Sequence, residues 1–199
     1  MKKQFRAIGD FWRAEYGRYV GMTAAAFLVL LVLAYIAGRL FPDIPASVIS
    51  AFNEDIAGSG IVQEDGSFNV LALFTNNLRA MLLGVLYGFI PFLYLPALAL
   101  GVNAAILGML ASLIDGQWLL AAGILPHGIF ELPALFLSLA AGLCLCKNIN
   151  VYIRKNEKGV MKPLLLNILR VVVLLVLPLL VIAAVMETYV TPALMQLFL

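Results

Sequence analysis

The chain has 199 residues, of which 63% are hydrophobic and 12% are charged, and its mean hydropathy is +1.02. Soluble domains carry about 25% charged residues, so this composition excludes an ordinary soluble protein and indicates an integral membrane protein. The ten-residue alternating pattern of an outer-membrane β-barrel is absent. The net charge of +2 carries little information by itself, and no nucleic-acid partner is predicted.

Five apolar runs are long enough to cross a bilayer as helices, which takes about 20 residues each. The predicted fold is therefore an all-α, polytopic membrane helix bundle with five membrane crossings and an interrupted fourth segment. The spans together form one transmembrane domain, residues 20–190. They are predicted at about residues 20–41, 70–90, 97–114, 117–146 and 164–186.

Both ends of the chain predict short helices outside the spans. Residues 1–19 are basic and aromatic, and their apolar side chains recur mainly every three or four positions. That spacing predicts a helix lying on an anionic membrane surface. At the other end, Thr191 and Pro192 predict a capped interfacial helix over residues 191–199, with threonine as the N-cap and proline in the first turn.

The distribution of basic residues predicts the orientation. Residues 1–19 and 147–162 carry five Lys or Arg each, whereas the loop 42–69 carries several acidic residues and no basic one. The positive-inside rule then places the N-terminus in the cytoplasm and the loop and the C-terminus outside the cell (inner) membrane. Within the loop, a short amphipathic helix is predicted around Val48, Ile49, Phe52 and Ile56.

The fourth segment combines helix-breaking residues with ionisable ones. Pro126, Gly128 and Pro133 predict an interruption near residues 126–128. His127 is the only histidine of the chain, and Glu131 follows four positions later. Such groups are costly inside a membrane and persist where protein or a water-filled cavity shields them.

Small residues recur at every fourth position in the second, third and fourth spans. This spacing lets helix backbones approach closely in lipid, so we expect these three spans to form the tight centre, with the first and fifth facing lipid. The predicted packing residues are Ala80, Gly84, Gly88, Gly101, Ala105, Gly108, Ser138 and Gly142.

Counting about 1.5 Å per helical residue places several polar residues near one depth. An unpaired Arg or Glu there costs several kcal/mol, so Arg79 and Glu131 are expected to form an ion pair assisted by neighbouring amides. The predicted intramembrane polar cluster is Asn76, Asn77, Arg79, Asn103, His127 and Glu131.

The polar cluster has more than one interpretation. It is either a set of polar contacts that locks three helices, or a substrate or ion site at a broken helix, as in transporters. Metal-dependent catalysis is a weaker third, because one histidine and one carboxylate are fewer than the three protein ligands of a catalytic zinc site. No metal ligand set, no cofactor and no catalytic residue is therefore predicted.

One motif resembles a known family. Residues 124–134 read ILPHGIFELPA, and the upstream matches are Asn76, Asn77, Ala80, Gly84, Asn103 and Gly108. Over roughly residues 70–146, these features resemble the signature of the stage II sporulation protein M family. The chain departs from it at Ala104, where the family commonly has glycine.

The resemblance implies a non-enzymatic, multi-pass inner-membrane protein. In spore formers, the family member anchors peptidoglycan-degrading enzymes at the septal membrane during engulfment, and relatives also occur in organisms that do not sporulate. The partners expected here are the lipid bilayer and envelope proteins such as peptidoglycan hydrolases, and a homo-oligomer is left open. The alternative is a transporter or lipid flippase with its polar site at the broken fourth helix.

Overall fold

The computed structural model describes residues 2–48, 50, 60–61, 68–114, 117–155 and 159–197. Within these ranges, five helices are long and apolar enough to cross a membrane, which confirms the predicted all-α polytopic bundle. They are α1 Lys2–Leu40, α2 Val70–Phe89, α3 Leu95–Leu113, α4 Gln117–Lys155 and α5 Met161–Met195. Residues 43–48 are also helical, and most of the predicted loop helix lies outside the described residues.

The two ends of the bundle differ in their side chains. At one end, here called the basic end, Lys147 Nζ lies 2.7 Å from Glu15 Oε2, and Arg170 Nε donates to Gln4 Oε1 at 2.5 Å. The other end, here called the loop end, carries the described residues 42–48, 60–61 and 68–69 of the loop. Which end faces the cytoplasm stays a prediction.

Helix α1 continues from Lys2 into the first span without interruption, so the described part of residues 1–19 is not a separate helix. A π-helical turn at Trp12–Tyr16 lies near the predicted boundary. There the buried Tyr16 hydroxyl donates to the Leu137 carbonyl of α4 at 2.5 Å. Ile8 and Phe11 are buried where this segment packs on α5. The segment therefore belongs to the bundle.

Helix α4 is one continuous helix of 39 residues, so the predicted break near residues 126–128 is wrong. Pro126 and Pro133 lie inside it, and Gly128 is helical too. Proline removes one backbone donor and disrupts helices readily in water. In apolar surroundings no water competes for the remaining backbone bonds, so the helix persists through both prolines.

Helix α4 is also the centre of the bundle. Of its most apolar 18 residues, 61% are buried, against 39% for α5 and 17–28% for the other three helices. It contacts α1, α2, α3 and α5. The expectation that the first and fifth spans face lipid agrees with the low burial of α1 and is wrong for α5, because apolar composition does not distinguish a lipid-facing helix from a packed one.

The contact between α2 and α4 is made backbone to backbone. A Cβ atom on Gly88 would lie 2.5 Å from the Gly142 carbonyl oxygen, and one on Gly142 would overlap the Gly84 carbonyl oxygen. Ser138 is buried nearby, and its hydroxyl has no hydrogen-bond partner among the residues that the structure describes. These positions therefore need small side chains, as the sequence predicts.

The contact between α1 and α3 depends on Gly108. A Cβ atom there would overlap the Leu31 carbonyl oxygen and lie 2.8 Å from Ala34 Cβ. Gly101 on the same helix has nothing within 4 Å of its Cβ position. The other predicted packing positions also differ, because Ala105 is half-buried and Ala80 is exposed.

Alanine at Gly108 should destabilise the bundle, because the added methyl group forces α1 and α3 apart. Overpacking of this kind costs about 1–3 kcal/mol. Thermal unfolding of the purified protein in detergent should show a lower Tm for Gly108→Ala. Gly101→Ala is the matched control and should not lower the Tm, because its Cβ position is uncrowded and alanine favours the helix over glycine. Equal Tm values for the two variants would contradict the α1–α3 packing.

Candidate functional site

The structure separates the six predicted polar residues, so they do not form one cluster. The two asparagines and the arginine of α2 differ in exposure: Asn76 and Arg79 are exposed, and Asn77 is half-buried. Asn103 on α3 is exposed, and its side chain donates to the Ala99 carbonyl of its own helix at 2.8 Å. Only His127 and Glu131 share a site.

Arg79 does not pair with Glu131. Its side chain has neither an ion-pair nor a hydrogen-bond partner in the described part of the chain. The reason lies in the helix period. Gly84 and Gly88 face α4, and Arg79 lies about 140° and 180° around α2 from them at 100° per residue. Arg79 and Glu131 were predicted at a similar depth, but Arg79 lies on a face of α2 that points away from α4.

Glu187 of α5 takes the place that was predicted for the arginine. His127, Glu131 and Glu187 each offer one ligand atom, and these three atoms lie within 4.8 Å of one another. All three side chains are half-buried. We call this group, with Thr191, the His–Glu–Glu cluster.

The local geometry of two antiparallel helices builds the cluster. His127 and Glu131 are one turn apart on α4, so they share a face. Glu187 and Thr191 have the same spacing on α5. Because the two helices run in opposite directions, Thr191 comes opposite His127, and its Oγ1 lies 3.4 Å from His127 Nδ1.

Thr191 is not the N-cap that the sequence predicted. The preceding residue, Val190, has helical dihedrals (φ −90°, ψ −44°), and α5 continues through this point without a side-chain cap. The threonine side chain is buried. Its hydroxyl is directed at the histidine ring of the neighbouring helix instead of at its own backbone.

Glu187 lies on a π-helical turn, Met186–Val190. Such turns are rare in proteins and occur frequently at functional sites. Two other π-helical turns are present among the described residues, at Trp12–Tyr16 and Val172–Val176. Only the Met186–Val190 turn carries a member of the cluster.

The two carboxylates of the cluster have no cationic partner among the described residues. Neither Glu131 nor Glu187 has a hydrogen bond or an ion pair with any residue that the structure describes. Two carboxylates this close and shielded from water do not both keep their charge without a proton or a cation between them. The arrangement can therefore bind a cation or hold a shared proton.

Sequence reasoning missed Glu187, although a signal was present. It is the only acidic residue in residues 159–199, and an ionisable residue inside an apolar span is a site candidate by default. With Glu187, the cluster has three possible metal ligands. The count of two on which the expectation of no metal site rested was too low.

Comparison with known proteins identifies the family. Residues 16–192 match the family described as Stage II sporulation protein M. The chain belongs to this family. The matched range begins at the π-helical turn of α1 and includes every residue of the His–Glu–Glu cluster.

A relative with a similar length is also found. An uncharacterized protein of Methanocaldococcus jannaschii is 29% identical over 170 residues, which cover 83% of this chain and 93% of that protein. No solved structure matches the chain significantly. The match extends the resemblance, which the sequence motifs limited to residues 70–146, to nearly the whole membrane bundle.

A double-mutant cycle distinguishes the two possible partners of Glu131. Side chains in contact show coupling energies of about 0.5–3 kcal/mol, whereas distant ones add within about 0.5 kcal/mol. Glu131→Gln and Glu187→Gln should therefore be non-additive in the free energy of unfolding, measured by denaturant titration in detergent. Glu131→Gln and Arg79→Leu should be additive. Coupling of Arg79 to Glu131 instead would contradict the observed arrangement.

Proposed function

We propose that this multi-pass membrane protein is a non-enzymatic scaffold in the cell (inner) membrane, and that it anchors envelope partners such as peptidoglycan-remodelling enzymes. Membership of the stage II sporulation protein M family supports this role. The sporulation role named by the family is one setting for such a scaffold.

The observation that carries the proposal is an exposed arginine inside an apolar helix. Arg79 lies nine residues after Val70, the first residue of α2, or about 14 Å along the helix. Charged side chains in membrane spans almost always face a protein interior or a water-filled cavity. Arg79 has neither within the described residues, so a second protein is the fitting cover.

The surroundings of Arg79 specify the chemistry of that second protein. The arginine borders a shallow groove of about 330 Å³ whose other lining residues are Thr75, Leu78, Leu82, Leu83 and Leu86. An apolar wall with one cation suits a transmembrane helix that carries a carboxylate or an amide at the same depth. We call this groove the Arg79 face.

The loop 42–69 offers a second surface. Pro45, at its start, is buried beside Gly38 of α1 and Ser112 of α3. Near its end, Ile61 packs with Leu73 and Ala184, and accepts a hydrogen bond from the Asn69 amide at 2.8 Å. The acidic loop is thus held on the bundle near both of its ends.

Site-specific photocrosslinking tests the Arg79 face. A photoreactive amino acid at Leu82, which is 40% exposed, should crosslink to a peptidoglycan-remodelling enzyme or its membrane subunit, identified by mass spectrometry. The same probe at Leu28 on α1, which is 61% exposed, is the matched control and should not. Arg79→Leu should reduce the Leu82 product at least about fivefold without lowering the Tm, because it removes the charge that the partner pairs with.

Other outcomes would count against this face. A crosslinked dimer of the chain would identify a second copy as the occupant, and equal products from the Leu82 and Leu28 probes would indicate contact without specificity. Replacing residues 42–69 with a neutral linker in the same experiment separates the contribution of the loop. If the loop replacement abolishes the crosslinked product and Arg79→Leu does not, the partner docks on the loop and not on the Arg79 face.

Transport is the second candidate function, and the His–Glu–Glu cluster favours it. Ionisable groups that face each other between two spans are typical of proton and ion pathways. In proteoliposomes with an imposed pH gradient, a transporter would carry protons above the rate of empty vesicles, and Glu131→Gln would abolish that flux. Glu15→Gln at the basic end is the control and would keep it. Flux equal to that of empty vesicles would exclude proton transport.

A further inference from the structure

We propose that the His–Glu–Glu cluster is a binding site for a divalent transition-metal ion, with Zn²⁺ as the best fit, and that the ion fastens α4 to α5. The ligands are one ring nitrogen of His127 and one carboxylate oxygen each of Glu131 and Glu187. This site is separate from the Arg79 face, so it stands or falls independently of the scaffold function.

The ligand set fits zinc in number and kind. Zinc sites with an open position use three protein ligands, and the nitrogen and oxygen ligands from His, Asp and Glu bind at about 2.0–2.2 Å. Ligand atoms around such an ion lie about 3–4 Å apart by that geometry. The observed atoms lie within 4.8 Å of one another, so the flexible glutamate side chains need to move inward by only about 1 Å.

The charge of the cluster favours a divalent ion over a monovalent one. Glu131 and Glu187 together carry two negative charges when ionised, and no cationic side chain of the described residues pairs with either. One divalent ion neutralises both. An imidazole nitrogen with few ligands also favours zinc or a similar transition metal over Mg²⁺ and Ca²⁺, which take six or more ligands that are mostly oxygen atoms.

Thr191 completes the arrangement as a positioning residue. A metal-bound histidine usually bonds through its other ring nitrogen to a neighbouring group, which fixes the orientation of the ring. Thr191 Oγ1 lies 3.4 Å from His127 Nδ1, so Nε2 is the nitrogen left for the ion. The threonine hydroxyl is buried and comes from the same helix as Glu187.

Zinc titration of the full-length protein tests the site. The protein is purified in detergent, stripped with EDTA, titrated with ZnCl₂ against a competing chelator dye, and assayed for metal by mass spectrometry. Wild type should retain about one zinc ion per chain. Glu187→Gln and Glu131→Gln should each weaken binding at least about tenfold, and Thr191→Val should weaken it about tenfold, as loss of an outer partner does.

Two controls keep the result specific. Glu15→Gln makes the same chemical change at the basic end, where Glu15 pairs with Lys147, and should bind like wild type. Replacing Cys144 and Cys146, the free buried cysteines of α4, with serine should also leave binding intact. X-ray absorption at the zinc edge should show only nitrogen and oxygen neighbours at about 2.0–2.2 Å.

Stability measurements cover the case in which a variant folds poorly. Zinc should raise the Tm of wild type and leave that of Glu187→Gln unchanged, because an ion that binds only the folded state stabilises it. If Glu131→Gln does not fold, the zinc affinities of Glu187→Gln and Thr191→Val still test the site. The proposal is overturned if wild type retains no zinc, as a shared proton alone would predict, if the variants retain as much, or if sulfur binds the ion.

Discussion

Backbone-to-backbone packing determines the arrangement of this bundle. Lipid is as apolar as leucine, so apolar side chains gain little by meeting each other instead of the acyl chains. Close packing replaces that missing drive at two contacts, Gly84 and Gly88 with Gly142, and Gly108 with Leu31. At such distances a helix can rotate only by pushing carbonyl groups into its neighbour. These contacts fix which faces of α2 and α4, and of α1 and α3, point at each other.

The sequence alone predicted the features that depend on composition and length. Five spans follow from apolar runs, and the close contacts at Gly84, Gly88 and Gly142 follow from spacing, whereas Gly108 packs on α1 instead of on one of the other small-residue spans. The predicted interruption of the fourth segment is wrong, because a proline such as Pro126 breaks a helix less readily where no water competes for the backbone hydrogen bonds. Gly101 also differs from the prediction, since no described residue lies within 4 Å of its Cβ position although it follows the same small-residue spacing.

Only part of the candidate site could be predicted from the sequence. The sequence motif predicted that His127 and Glu131 belong to a polar site inside the membrane. It did not predict their partner Glu187. Depth in the membrane can be counted along a sequence, whereas the direction that a helix face points depends on tertiary contacts. Glu187 is 56 positions from Glu131 in the chain, and only the antiparallel packing of α4 and α5 brings the two carboxylates together.

The same packing explains why opposite charges within one chain stay apart. Among the described residues, no carboxylate pairs with Arg79 and no cation pairs with Glu131 or Glu187, yet the arginine and the two glutamates do not neutralise each other. Turning Arg79 toward α4 would require α2 to rotate by about 140–180°, and that rotation would lose the contacts of Gly84 and Gly88. Among the described residues neither site has a partner of opposite charge, which is why we propose a membrane protein with an acidic or amide side chain for the arginine and a cation for the two glutamates. The glycine contacts thus keep the Arg79 face and the His–Glu–Glu cluster apart, which is why the two proposals concern separate surfaces and can be tested separately.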